Sequence, residues 1–258
     1  MYKISDGTEF VGKSLYFLPK CHSTNDIAAE LLDKGLAGPG SVIITDHQTA
    51  GKGQRGNSWE SEYGKNLTFS IVLVPDFIMA DKNFSLNIVT SLALTDAFSQ
   101  MDVLSQYRDA FFIKWPNDIY YKQNKLGGIL IENSIISGKI GSVIIGIGLN
   151  VNQISFAGSF QATSLRLISS VNLNLNDLLN LILKCFDKRW KVLFYEGIQS
   201  LESDYLNLLY GMGKTRKFAI DGKISDGIIR GIDSSGRLVV SIENEERVFS
   251  YQEIKFLN

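Results

Sequence analysis

Lys114-Trp-Pro-Asn-Asp118 and Lys125-Leu-Gly-Gly-Ile-Leu-Ile-Glu132 each set a lysine against a short apolar run. In the first, Phe111 to Trp115 reads as a buried strand that stops at a proline-imposed bend, with an amide and a carboxylate at its end. A lysine inside such a strand needs a partner, because an unpaired buried charge is costly. In the second, Lys125 stands at the mouth of a strand over Gly128 to Ile131, beside glycines that permit close packing or the approach of a ligand. Taken singly, a lysine in either position is more often structural or simply exposed.

Working outward, Val42 to Thr45, Leu67 to Val74 and Val143 to Ile147 are further apolar or β-branched runs bounded by Gly, Pro, Asn or Asp, and each reads as a buried strand. Helical periodicity covers Thr24 to Lys34 and Leu86 to Met101, and Ser23 with Asp26 predicts a capping box for the first. Asn176 predicts a cap for a long helix over Asp177 to Tyr195, and a further helix is expected over Ile198 to Tyr210. Gly211 and Gly213 break that period. From Lys217 the residues alternate polar and apolar, with turn signals at Asp221-Gly222 and Asp233-Ser-Ser-Gly236, which predicts short antiparallel strands. The expectation is an α+β chain: a mixed central sheet flanked by helices over residues 1–210, and a small β-barrel-like domain over 211–258. Without repeated strand–helix alternation, a doubly wound sheet is disfavoured.

Composition narrows the function. The chain has 258 residues, is 45% hydrophobic and carries a net charge of -1, so it exerts no global attraction on nucleic acid. Cys21 and Cys185 form no CxxC spacing, and His22 and His47 have no second histidine or carboxylate at ligand spacing, which argues against a zinc site or disulfide framework. The N-terminal segment lacks a basic stretch followed by an apolar core, and the longest apolar runs are too short to span a bilayer. A cytoplasmic protein is expected.

Gly51-Lys-Gly-Gln-Arg-Gly56 matches the spacing GxGxxG, but a dinucleotide-binding turn must open a helix, and this loop leads to the strand at Leu67. No Gly-Lys-Ser or Gly-Lys-Thr completes a P-loop. What remains is a basic glycine loop whose amides, with Lys52 and Arg55, suit a phosphate or carboxylate; a solvated turn explains it equally well.

Ser23-Thr24-Asn25, Gln48 ahead of the glycine loop, Lys114-Trp-Pro-Asn-Asp118, Lys125-Leu-Gly-Gly-Ile-Leu and Gly146-Ile-Gly-Leu-Asn150 together resemble the ordered signature of biotin protein ligases. Ala162-Thr-Ser-Leu165 and Ile229-Arg-Gly-Ile-Asp233 are also similar to that family, so the resemblance runs from about residue 15 to the end. It implies a class II synthetase-like catalytic domain followed by an SH3-like domain. Where many members carry an arginine-rich GRGRRGR loop, Lys52, Gln54 and Asn57 stand here; lysine keeps the charge without the planar fork, and the other two lose it. Only about twenty residues precede Ser23, too few for the helix-turn-helix domain that some relatives carry, so no DNA partner is expected.

The resemblance implies adenylation of biotin by ATP with Mg2+, followed by transfer to a lysine of a biotin carboxyl carrier protein, the ligase being a monomer or a homodimer. Clustered cations must then neutralise a carboxylate and a triphosphate. Lys125, Arg55 and Lys114 are the expected catalytic residues. Ser23, Thr24, Asn25, Gln48, Gly51, Lys52, Gly53, Gln54, Lys125, Gly146 and Gly148 are expected to bind biotin. Lys52, Arg55, Asn57, Trp59, Lys114, Asn117, Lys125 and Asn150 are expected to bind the nucleotide. Asp118 is either a magnesium ligand or a cap of the bend after Pro116, and Trp59 either covers adenine or fills core. Trp115 and Trp190 are expected in the core. The glycine loop is the natural lid over the intermediate. The rivals are a lipoate or octanoate ligase or transferase of the same fold, and a non-catalytic regulator built on the C-terminal domain.

Overall fold

The computed structural model describes residues 2–156 and 161–257, with the side chain of Arg55 excepted. The strands are β1 (Ser14–Leu18), β2 (Ser41–Thr45), β3 (Leu67–Leu73), β4 (Phe111–Lys114), β5 (Asp118–Tyr121), β6 (Asn124–Ile136), β7 (Lys139–Leu149), β8 (Thr215–Ile220), β9 (Lys223–Ile232), β10 (Leu238–Ile242), β11 (Glu245–Phe249) and β12 (Ile254–Phe256). The helices are α1 (Thr24–Asp33), α2 (Phe84–Ser99), α3 (Leu165–Ser169), α4 (Leu175–Glu196) and α5 (Gln199–Leu208).

A seven-stranded mixed sheet runs in the order β1-β2-β3-β7-β6-β5-β4, as the sequence led us to expect. Its one parallel pair, β1 with β2, is joined by α1 as the crossover, and every other pair is antiparallel. Strand β1 escapes the sequence pattern because it is a half-buried edge strand with no clean alternation. Strand β5 escapes it because four residues are too few to set a period. The strands around Gly128 and Val143 run on into a long β6–β7 hairpin closed by Ser137 and Gly138, both at positive φ.

One face of this sheet carries α2, α4 and α5. Nearly every position of α2 is buried, which is why it is apolar all round. Arg189 of α4 binds Asp96 of α2 through Nε at 2.6 Å and Nη2 at 3.0 Å, and also pairs with Asp204 of α5, so one guanidinium fastens three helices. The other face receives α1, whose Ala28 packs on Ile43, Val72 and Ile144. Two expected caps are corrected. Ser23 precedes α1 but makes no side-chain cap bond, its Asp26 being held by Lys52 instead. Helix α4 is capped by Asn174, whose Oδ1 accepts from the backbone of Asn176 and Asp177.

The C-terminal residues form a five-stranded antiparallel sheet, β11-β10-β9-β8-β12. Asp221 and Gly222 are both at positive φ, as a two-residue hairpin turn requires, and Glu243 with Asn244 repeats the device. This sheet is pinned to the first beside the Lys114 motif. Trp115 follows β4 through a cis bond to Pro116, and its Nε1 donates to Gly236 O at 2.8 Å. Gly236 has φ 80°, and a Cβ there would meet Phe84 Cγ at 2.0 Å. Gly236→Ala is therefore expected to destabilise the protein by about 1 to 3 kcal/mol or more. Thermal melting checks this; an unchanged midpoint would count against the pin.

Candidate functional site

The sheet face beneath α1 is floored with small side chains in two rows. Thr68 on β3 pairs with Gly148 on β7, Gly148 with Gly128 on β6, and Gly128 with Asp118 on β5. Two residues along the same face, Ser70 pairs with Gly146 and Gly146 with Leu130. The rows are about 7 Å apart, the repeat of alternate strand residues. Over them opens a cavity of about 250 Å³.

The absent side chains make room for particular neighbours. A Cβ at Gly148 would stand 2.3 Å from Trp59 Cε2, and one at Gly146 would stand 2.3 Å from Asn25 Oδ1. Trp59 thus lies on β7 with its Nε1 buried and without a partner, while Asn25 is pressed into the neighbouring row. Asn25 Nδ2 donates to Glu132 Oε2 at 2.6 Å, and Ser70 Oγ lies 2.7 Å from Asn25 Oδ1 and 2.8 Å from Thr24 Oγ1. The Thr24 amide donates to Gln48 Oε1 at 2.8 Å, which turns the Gln48 amide nitrogen away from Thr24. Glu132 accepts only, so Asn25 turns its Nδ2 to Glu132 and its Oδ1 to the Ser70 hydroxyl, and the Thr24 hydroxyl is left to donate to Gln48 Oε1 at 3.2 Å or to Ser70. This row offers oriented donors and acceptors to a polar, uncharged group.

The other row is charged. Lys125 Nζ lies 2.7 Å from Asp118 Oδ1 and 5.9 Å from the centroid of the Trp59 ring system. The loop from Gly51 to Trp59 is a small hairpin: Trp59 N–H donates to Gly51 O at 2.9 Å and Gly53 N–H to Asn57 O at 2.7 Å. Gly51 is needed there because a Cβ would stand 2.4 Å from Trp59 O. Lys52 reaches back to Asp26, which raises its already basic pKa.

Of the expected site residues, Ser23, Thr24, Asn25, Gln48, Lys52, Gly53, Gln54, Asn57, Trp59, Asn117, Asp118, Lys125, Gly146 and Gly148 line this one cavity. Three are placed differently. Asn150 donates its amide to Thr163 O and holds the 162–165 segment against β7. Gly51 sits under the loop without lining the cavity. Lys114 sits beside Tyr120, donating to its hydroxyl at 3.4 Å with Nζ 4.7 Å from the ring centroid. The side chain of Arg55 lies outside the described residues. Gly128 and Leu130, which belong to the Lys125 motif, also line the cavity, as do Thr68, Tyr120 and Tyr251, while Glu132 supports it; the sequence reading assigned no site role to Thr68, Tyr120, Tyr251 or Glu132. Thr68 and Ser70 were readable, since they alternate with Leu67, Phe69 and Ile71 and so share the polar face of an otherwise apolar strand. Tyr251 comes from the C-terminal sheet, where no local pattern marks it.

A family model described as the biotin/lipoate A/B protein ligase family matches residues 17–150. The chain belongs to this family. Among relatives of this biotin/lipoate ligase family member, the bifunctional ligase/repressor BirA of Bacillus spizizenii is 31% identical over 245 residues, covering 93% of this chain and 73% of its own. The biotin–[acetyl-CoA-carboxylase] ligase of Mycobacterium tuberculosis is 27% identical, over 91% of this chain and 86% of its own. In fold, the chain is similar to the Aquifex aeolicus biotin protein ligase in complex with biotin and ATP. That match has a TM-score of 0.77 and 24% identity, over 94% of this chain and 98% of the other.

Burial pushes the Lys114 amine below the usual lysine range; Asp118 opposes this, and the nearby Lys125 and Arg216 cations add to it. A cation so placed costs stability, because the folded state binds its proton less tightly than the unfolded chain does. The cost is full at neutral pH and fades as pH rises from the depressed value to the ordinary one. Lys114→Met is therefore expected to melt at a higher temperature than the wild type, with the gap narrowing in alkaline buffer. A lower melting temperature for the variant would show that Lys114 is a net stabiliser.

Proposed function

We infer that the protein is a biotin protein ligase, which joins biotin to ATP as biotinyl-5′-AMP, releases pyrophosphate, and passes biotin to a lysine of a biotin carboxyl carrier protein. The observation that carries this reading is the two-row cavity. One row presents Ser23 and the hydrogen-bonded pair Thr24 and Gln48, and the row about 7 Å along presents Lys125 beside the Trp59 ring. Biotin needs the first for its ureido head, since a buried polar head without partners is costly, and the second for its carboxylate.

In adenylation a carboxylate oxygen attacks the α-phosphorus, and the bond to the β-phosphate oxygen breaks. Two anions must meet, so a cation held in place before the reaction does most of the work. Lys125 is that cation: Asp118 orients it from the adjacent strand, and Lys52 brings a second charge on the glycine hairpin. Trp59 offers a ring to the adenylate, and Asn117, fixed through Nδ2 to Ile129 O, borders the same space. Among the described residues no three His, Cys, Asp or Glu side chains gather as a metal site. A magnesium ion bound mainly by phosphates and water needs only one or two carboxylates, and Asp118, among the described residues the one carboxylate lining the cavity, fits that need. In the second step the carrier amine attacks the mixed anhydride, and the hairpin at residues 51–59 excludes water.

The residues from Gly211 onward are proposed to act as a separate domain, and the location is proposed to be cytoplasmic. No helix among the described residues is long and apolar enough to cross a membrane. A lipoate ligase is the alternative chemistry; the fixed Thr24–Gln48 pair favours a ureido group, which a dithiolane ring lacks.

Biotin-dependent exchange of pyrophosphate into ATP is expected, with none for lipoate; exchange with lipoate alone would reverse the assignment. Lys125→Ala is expected to slow adenylation roughly 10²- to 10³-fold, and an undiminished exchange rate would remove Lys125 from its role. Protease cleavage within residues 51–57 is expected to fall when biotin and ATP are added together. Equal cleavage in both states would argue against a lid.

A further inference from the structure

Among the described residues two cations next to Tyr120 and Tyr210, Lys114 and Arg216, form no ion pair, and Tyr120 lines the cavity. Lys114 ends β4, whereas Arg216 is the second residue of β8 in the C-terminal sheet. Both lie against one ring: Arg216 Cζ is 4.3 Å and Lys114 Nζ 5.9 Å from the Tyr210 centroid. Lys114 Nζ is also 5.3 Å from the Phe256 ring.

The backbone brings them together. The segment after α5 runs beside β4, where Tyr210 N–H donates to Ile113 O at 2.9 Å and seats its ring near Lys114. Gly211 follows with φ 80°, and a Cβ on it would stand 2.4 Å from Arg216 Nε, so a glycine there lets the guanidinium fold onto Tyr210.

Elsewhere the chain pairs cations with care: Arg189 holds two aspartates, Arg237 holds Asp233, and Lys217, next to Arg216, reaches Asp226. Among the described residues neither Lys114 nor Arg216 has a carboxylate partner, and Arg216 Nε is buried with no hydrogen bond. Aromatic faces offset part of this but supply no acceptor for the N–H groups. Lys114 feels the charges of Lys125 and Arg216 on one side and of Asp118 on the other, and among the described residues Asp118 is ion-paired to Lys125. Such a cluster is matched to a multivalent anion. Tyr120 connects it to the cavity, since its ring lines that space and its hydroxyl accepts from Lys114.

Resting on the adenylating reading above, we propose that Arg216, together with Lys114, binds the β- and γ-phosphates of ATP and retains the pyrophosphate as it leaves. When the bond between the α-phosphorus and the bridging oxygen breaks, its electron pair stays on that oxygen, and the guanidinium fork and the amine neutralise the new charge. No proton transfer is needed. The site matters to the first half-reaction alone, because biotinyl-adenylate carries neither of those phosphates.

The test uses the full chain with Arg216→Ala, and with Arg216→Lys, which keeps the charge and loses the fork. Magnesium pyrophosphate is titrated calorimetrically, the KM for ATP is measured, and carrier biotinylation is followed from chemically prepared biotinyl-adenylate. Arg216→Ala is expected to weaken pyrophosphate binding and raise the KM for ATP about tenfold, with Arg216→Lys intermediate. Transfer from supplied adenylate is expected to stay at the wild-type rate. Unchanged pyrophosphate affinity in either folded variant would overturn the proposal, as would a parallel loss in transfer. If Arg216→Ala does not fold, Arg216→Lys carries the same comparison. The two readings fail separately: a wild type without biotin-dependent exchange sinks the ligase assignment, while an active ligase indifferent to Arg216 sinks only this site.

Discussion

The structure depends on side chains that β6 and β7 do not have. A largely antiparallel sheet covered by α2, α4 and α5 on one face can leave its other face polar, and here that face lies beneath α1. At Gly146, Gly148 and Gly128 that surface is bare backbone; Asn25 and Trp59 occupy the volume vacated at the first two, and Lys125 lies in ordinary contact with the third. Chemistry-bearing side chains are thus supported by the stiffest element of the molecule. A methyl group at Gly148 would meet the indole ring well inside van der Waals contact.

Charge is arranged on the same principle of advance positioning. Asp118 and Asp26 each hold a lysine that faces the cavity, so these cations are oriented before any anion arrives. Lys114 is kept by rings and a phenol, leaving its charge largely unspent. Hydrogen-bonded polar side chains and the paired lysine occupy adjacent rows of one sheet face.

Much of this was readable from the chain alone. Lys114 stood out as a cation inside an apolar strand, whereas Lys125, Gly146 and Gly148 gained their site reading from the ordered family signature. Roles were harder to read than membership. Gly146 and Gly148 looked like ligand contacts, whereas each also accommodates a neighbouring side chain from a remote segment. Asn150, read as a nucleotide-side residue, donates its amide to Thr163 O, a link between distant segments that the sequence pattern does not show. Glu132 and Tyr251 act across sheet pairs and between sheets, distances that no local period records. Ser23 fits a capping pattern because its residue type serves helix ends and polar pockets equally well.

The hydrogen bond from Trp115 to the carbonyl of Gly236 joins the motif at the end of β4 to a turn in the other sheet. Modules that touch only through surface loops can be exchanged between homologues like interchangeable heads on a tool. Here a foreign C-terminal segment would have to bring a bare carbonyl to the same spot, with a residue beside it small enough for Phe84. Recombination across residue 210 should therefore be tolerated only between sequences that have kept both halves of that joint.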